Sequence, residues 1–230
     1  MSPGLSVIVP VLNEAERIQA QLARLVRLPG VAEVIVADGG STDGTLGVAH
    51  AIPGVTVVDA PRGRGPQMNA AARVAIGDVL WFVHADTDPP DDAPALIGDA
   101  LDDPGVVGGA FGIRTHADGG DAWPARFLPL ADLRSRYSRL PYGDQAIFVR
   151  RLVFAAIGGF APIPLFEDLE FSRRLRRAGR VRVLPARVGV SGRRFMARPL
   201  TSVALMTVMP ALYRLGVPPV TLAQWYGHVR

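Results

Sequence analysis

Two carboxylates one residue apart, Asp86 and Asp88, follow directly on an apolar run, within His84-Ala85-Asp86-Thr87-Asp88. In an extended chain, residues i and i+2 share a face. Such a pair, pooled with the phosphate oxygens of a substrate, offers the hard oxygen ligands that Mg²⁺ or Mn²⁺ requires. The competing reading is an acidic cap for the next helix. Asp91 and Asp92 fill that role equally well, which leaves Asp86 unexplained by it.

Other segments carry chemistry in a less specific form. Asp38 ends an apolar run and leads into Gly39-Gly40-Ser41-Thr42-Asp43-Gly44-Thr45. The glycines permit close backbone approach to a ligand, and a helix N-terminus beyond them favours anionic groups. A plain turn capped by Ser41 or Asp43 uses the same residues. Arg62-Gly63-Arg64-Gly65, with Gln67 and Asn69 beyond, is either a pair of guanidinium forks for a diphosphate or a solvated basic loop. Gly143-Asp144-Gln145 either orients a substrate hydroxyl or turns the chain. Glu167-Asp168-Leu169-Glu170 opens a helix, where acids complement the dipole or supply a general base for an attacking hydroxyl.

Composition narrows these choices. The 230 residues are 49% hydrophobic and 20% charged, enough for a soluble domain with a sizeable core. The absence of cysteine excludes disulfides, iron–sulfur clusters, thiolate zinc sites and a cysteine nucleophile. Only four histidines occur, so a metal falls to carboxylates. The chain has arginine but no lysine. Phosphate must then be met by guanidinium, backbone amides or a metal, and a lysine Schiff base is impossible. A net charge of +4 suits a small anionic substrate or a phospholipid surface, and is too weak to imply nucleic acid.

The elements that must position these residues alternate between strand and helix. Apolar runs at Leu5–Pro10, Val34–Ala37, Val55–Val58 and Val79–Val83 predict strands. Ile18, Leu22 and Leu25 mark one face of an intervening helix. Asn13 and Glu16 read as its reciprocal caps, and Pro29-Gly30 as its end. Wholly apolar strands spaced by helices predict a mostly parallel sheet covered on both faces. The segments starting at Asp38, Arg62 and His84 should then converge on one edge, beyond the carboxyl ends of the strands. Further strands are expected at Val106–Ile113, Ala146–Val149 and Val181–Leu184, and a helix at Glu167–Ala178 closed by Gly179.

Taken in order, the motifs resemble family 2 glycosyltransferases. Val7-Ile8-Val9-Pro10-Val11-Leu12-Asn13-Glu14 is similar to that family's S-V-I-I-P-x-x-N-E, and Val36–Thr45 to its V-D-x-x-S-x-D-G-T. The segments Ala60–Asn69, His84–Thr87, Leu140–Gln145 and Leu212–Pro219 resemble the bacterial radical-SAM/selenodomain-associated, arsenosugar-type subgroup. The resemblance covers essentially the whole chain. It implies an α/β GT-A fold, a Rossmann-like three-layer sandwich with a mostly parallel mixed sheet. It implies an inverting transfer from a nucleoside-diphosphate sugar, assisted by Mg²⁺ or Mn²⁺. Pro10, Asn13 and Glu14 would border the base and ribose, Asp38 would bond the nucleobase, and Arg64 would lie by the diphosphate. Gln67, Asn69, His84 and Ala85 complete the donor side by the same resemblance, and Tyr142, Gly143, Asp144 and Gln145 fall on the acceptor side. Asp86 would hold the metal, with Asp88 a second ligand. Asp168 would be the base, with Glu167 beside it.

The chain departs from the family pattern in places. His84 stands where the first aspartate of Asp-x-Asp is usual, and Ser191-Gly192-Arg193-Arg194 stands where many relatives carry a histidine ligand. Those arginines are placed to contact diphosphate instead. A sugar-phosphate nucleotidyltransferase would need a glycine-rich loop after the first strand, where Val11-Leu12-Asn13-Glu14 stands. The same segment excludes a dinucleotide fingerprint. A degenerate nucleotide-sugar-binding module remains the non-enzymatic alternative. The expected organisation is a domain over 1–197, with a nucleotide half at 1–105 and an acceptor half at 106–197. A helical tail at 198–230 follows, broken at Pro210. That tail packs on the core, lies on a membrane surface or forms a homodimer. Neither a secretory signal nor a membrane span is apparent, so the reading is cytoplasmic, at most peripheral at the inner membrane face. The acceptor is left open between a small metabolite and a lipid.

Overall fold

A computed structural model describes residues 4–116, 140–192 and 208–226. The chain opens with β1 (Leu5–Val11), α1 (Ala15–Leu25), β2 (Val31–Asp38), α2 (Thr45–His50), β3 (Val55–Asp59), α3 (Arg64–Val74) and β4 (Val79–Phe82). It continues through β5 (Thr87–Asp88), α4 (Ala93–Leu101), β6 (Val106–His116), a 3₁₀ turn at Gly143–Gln145, β7 (Phe148–Arg150) and α5 (Arg151–Ala156). Then come α6 (Glu167–Ala178), β8 (Arg180–Ser191), helical residues 208–214 and α7 (Pro219–Tyr226). The described residues form one eight-stranded sheet in the order β3-β2-β1-β4-β7-β6-β8-β5.

All seven residues of β1 are buried, as a strand covered on both faces requires. Val7, Val9 and Val11 face a core shared with Ile18, Leu22 and Leu25 of α1 and Ile97 of α4. Ile8 faces the other core, built with Met68 of α3, Phe154 of α5 and Phe171 of α6. Three layers result, with helices on either face of a mixed sheet. β1 pairs in parallel with β2 and β4, and β2 with β3. The carboxyl ends of all four therefore meet at one edge, as expected from the alternation of elements.

Several boundaries differ from the sequence expectation. Asn13 does not cap α1. Glu14 takes the N-cap position, and Asn13 adopts a left-handed backbone at φ 56°. The third late strand is much longer than Val181–Leu184, because β8 runs beside β6 almost to the end of both. Its second half is interrupted by Pro185, Arg187 and Gly189, so a search for wholly apolar runs stops at Leu184. The strand expected at Ala146–Val149 begins two residues later, since Ala146 is also left-handed, at φ 48°. The α6 helix spans the predicted Glu167–Ala178. In the tail, Met209 and Leu222 are buried against Tyr142, Leu165, Phe166 and Leu169, forming a third apolar cluster. The tail positions Arg198–Thr207, and Arg193-Arg194 before them, lie outside the described residues.

Candidate active site

The loops after β1 and β2 are laced together at the carboxyl edge. The Asn13 amide donates to Ser41 Oγ at 2.9 Å, and Thr42 N donates back to Asn13 Oδ1 at 2.8 Å. Glu14 N donates to Thr45 Oγ1 at 2.8 Å, and Ala15 N to Asp43 Oδ2 at 3.2 Å. The first amides of α1 thus find acceptors on a different loop rather than on Asn13. Asp38, 2% exposed, accepts from the amides of Gly40 and Ser41, each at 2.9 Å, and from the Ser41 hydroxyl. Its carboxylate is therefore fixed at the strand end by its own turn.

The α3 helix contributes differently from its predicted role. Gln67 is 3% exposed, and its Nε2 donates to Val11 O at 2.6 Å and Ala37 O at 2.8 Å. It ties the ends of β1 and β2. Asn69 Nδ2 donates to Phe160 O at 2.8 Å, and Phe160 N donates to Asn69 Oδ1 at 2.9 Å. Both side-chain amides, expected on the donor side, are engaged with backbone. Arg64, at the first turn of α3, directs Nε to Glu167 Oε1 at 2.9 Å. This close approach depends on Gly65, where a Cβ would lie 2.8 Å from Ala161 O. Glu167 is 2% exposed. Burial pushes its carboxyl up to about 7, Arg64 pulls it down, and the neighbouring Asp168 adds to the rise.

Asp168 lies in the first turn of α6, against the Gly143 turn. Its Oδ2 accepts from Gly143 N at 2.7 Å and its Oδ1 from Leu169 N at 2.7 Å. A Cβ on Gly143 would stand 2.9 Å from His84 Cε1 and 3.3 Å from Asp168 Oδ2. A bare glycine backbone thus lets the imidazole of the His84–Asp88 segment and the carboxylate of α6 close on the same point. Gln145, 1% exposed, accepts from Tyr142 N at 2.9 Å and donates to Phe111 O at 2.8 Å. It braces the turn that carries Tyr142 and Gly143. Tyr142 is buried in the third apolar cluster, and Asp144 is half-buried in the turn.

The His84–Asp88 segment is extended only at its end. Thr87 N donates to His84 O at 3.0 Å, and β5 pairs with β8. Asp86 is half-buried, and its carbonyl accepts from Ser191 N at 3.3 Å. Asp88 is drawn away: its carboxylate pairs with Arg24 of α1, which also binds Asp91. Here Asp88 is engaged by Arg24 rather than turned with Asp86 toward a common ligand. A residue that sequence reading passed over holds the segment in place. Gln21 Nε2 donates to His84 O and Thr87 O, each at 2.7 Å. Its signal was a polar residue on the Ile18–Leu22–Leu25 face of α1. Pro10 and Ala85 line the same edge through backbone and core contacts.

Among the described residues, no group of three His, Asp or Glu side chains is assembled to hold a metal. Asp86 and His84 fit a divalent ion only if donor phosphate and water complete its shell, the usual manner of Mg²⁺ binding.

Known proteins align with this architecture. A mannosyltransferase from Pyrobaculum calidifontis, solved with GDP-Man and Mn²⁺, superposes with TM-score 0.65 at 24% identity, covering 82% of this chain and 57% of that one. Glucosyl-3-phosphoglycerate synthase from Mycobacterium tuberculosis, solved with Mn²⁺, UDP and glucosyl-3-phosphoglycerate, superposes with TM-score 0.54 at 22% identity, covering 82% and 71%. The fold is α/β and GT-A-like. A PGL/p-HBAD biosynthesis glycosyltransferase of Mycobacterium bovis is 30% identical over 171 residues, 69% of this chain and 64% of that protein. The chain therefore spans just under two thirds of that relative's length. The profile of Glycosyl transferase family 2 matches residues 6–165, and the chain belongs to that family.

Proposed function

We propose that the protein transfers a sugar from a nucleoside-diphosphate donor to a nucleophilic acceptor, with inversion at the anomeric carbon. The observation that carries this reading is Asp168, held by the Gly143 amide where α6 meets the His84 segment. The acceptor O–H attacks the anomeric carbon from the face opposite the diphosphate. Its proton passes to Asp168, the new glycosidic bond forms, and the bond to phosphate oxygen breaks with its electron pair leaving on the diphosphate. Arg64 offsets the charge that develops there, and Glu167 holds Arg64. A divalent ion at Asp86, when bound with donor, supplies further positive charge to the leaving group. Asn13, Glu14 and Asp38 border the base and ribose, and Asp144 with the backbone of Tyr142 and Gly143 faces the acceptor.

The neighbours solved with GDP-Man, UDP-GlcNAc and UDP support a nucleotide-sugar donor. The motifs at Ala60–Asn69 and Leu212–Pro219 support the narrower arsenosugar-type subgroup. The apolar tail leaves a lipid acceptor at a membrane surface as one option and a small metabolite as the other. No described helix is long and apolar enough to cross a membrane. The second reading, a binding module without turnover, is favoured by the missing second carboxylate at the metal segment.

Thermal shift with UDP-, GDP- and other nucleoside-diphosphate sugars, with and without Mn²⁺, identifies the donor, since stabilisation follows RT ln(1 + [L]/Kd). Release of nucleoside diphosphate then separates the two readings. Asp168→Asn should lower turnover by about 10²–10⁴-fold while donor affinity stays within about two-fold. Parallel loss of both would remove Asp168 from the role of base.

A further inference from the structure

Phe166 immediately precedes Glu167-Asp168 and is left-handed, at φ 66° and ψ 23°. A bulky residue holds that backbone only where its surroundings fix it. Those surroundings come from the tail. The Phe166 ring stacks on Tyr213, with centroids 5.0 Å apart and planes 25° from parallel. The Arg173 guanidinium of α6 lies 5.2 Å from the Tyr213 ring centroid. Tyr213 is thus engaged by two residues of one segment, one just before the base and one a turn and a half beyond it. Leu165 and Leu169 join Met209 and Leu222 in the same cluster. Burial raises the Tyr213 phenol pKa; Arg173 opposes this, while Glu170 and Asp168 add to it, so the ring lies within electrostatic range of the base.

We infer that Tyr213 is a positioning residue for Asp168: stacked on Phe166, it holds the left-handed turn that aims the carboxylate at Gly143 N. The inference rests on the reading of Asp168 as base, but its geometric half stands without it. Released from the stack, Phe166 relaxes toward a common backbone conformation, and the first turn of α6 swings the Asp168 carboxylate off the Gly143 amide. The ring contacts of Tyr213 run to Phe166 and Arg173, on either side of Asp168, so the effect falls on the chemical step.

The test compares Tyr213→Leu and Tyr213→Phe in the full chain, by amide hydrogen exchange and by steady-state release of nucleoside diphosphate from the donor found above. Tyr213→Leu should lower kcat by about 10–100-fold with donor KM within about two-fold, since a displacement near 1 Å has that effect. The amides of Gly143 and residues 167–169 should exchange about ten-fold faster, with β1 and β2 unchanged. Tyr213→Phe keeps the ring and should restore both readouts. Wild-type kcat and exchange in Tyr213→Leu overturn the inference, as does faster exchange spread equally over β1 and β2. Should Tyr213→Leu not fold, Phe166→Ala decides: it loses the ring while the left-handed angle stays unfavourable, and an unchanged kcat overturns the inference. If the wild type turns over no donor, the transferase reading fails and the exchange comparison alone decides the positioning role.

Discussion

Glu167 has Arg64 against it and apolar chain around it, and its proton is held far more tightly than in the unfolded chain. The folded value of about 7 lies above the ordinary carboxyl value of 4.5. Its stabilising contribution is therefore complete below pH 4.5 and is lost as the pH rises through 7. The difference amounts to about 3 kcal/mol. Glu167→Gln should flatten the pH dependence of unfolding free energy over that range, read by urea melts; an unchanged slope would assign the dependence elsewhere. The two aspartates of the metal segment separate in the same way. Asp86→Asn should erase whatever Mn²⁺ adds to donor stabilisation in thermal shift. Asp88→Asn should leave that increment intact and cost less than about 1 kcal/mol, because its exposed pair with Arg24 is screened. Both aspartates satisfied the i, i+2 rule equally. Only the partner 64 residues away distinguishes them, and no local spacing reveals it.

At the scale of elements, the first turn of α3 and its continuation do separate work. Arg64 faces Glu167, whereas Gln67 and Asn69 join β1, β2 and the Phe160 backbone. Gln67→Met keeps the volume but removes the donor from Ala37 O, and should destabilise by about 1–3 kcal/mol in chemical melts. A loss confined to donor affinity, with stability unchanged, would return Gln67 to the ligand. Polar residues beside an arginine loop were read as ligand groups because nothing local distinguishes a buried amide from an exposed one. The helices themselves were legible: α1 from Ile18, Leu22 and Leu25, and α6 from its acidic start and Gly179. β8 was legible only at Val181–Leu184, because Pro185, Arg187 and Gly189 interrupt the rest of its apolar residues.

At the scale of the whole molecule, the candidate site gathers at one end of the parallel strands. The carboxyl edge carries Asn13, Asp38, His84 and, across the sheet, Asp168. The amino edge carries exposed apolar residues such as Ile76 and Leu152, 73% and 80% accessible. Ile76→Glu should change stability by no more than about 0.5 kcal/mol and leave donor-induced thermal shift untouched. A diminished shift would mean that the far edge communicates with the site. This placement was readable in advance for the four parallel strands, where each apolar run ends in its candidate segment. It was not readable for β6, β7 and β8, whose mixed directions depend on long-range pairing.

The reciprocal bonds between Asn13–Ala15 and Ser41–Thr45 have a consequence for recognition. Two loops that donate to each other in both directions behave as one body, so their conformational entropy is lost during folding and not at the encounter with a ligand. A flat ring bound beside Asp38, as proposed, would meet a wall already set, and its selection would rest on shape and hydrogen-bond pattern rather than on loop closure.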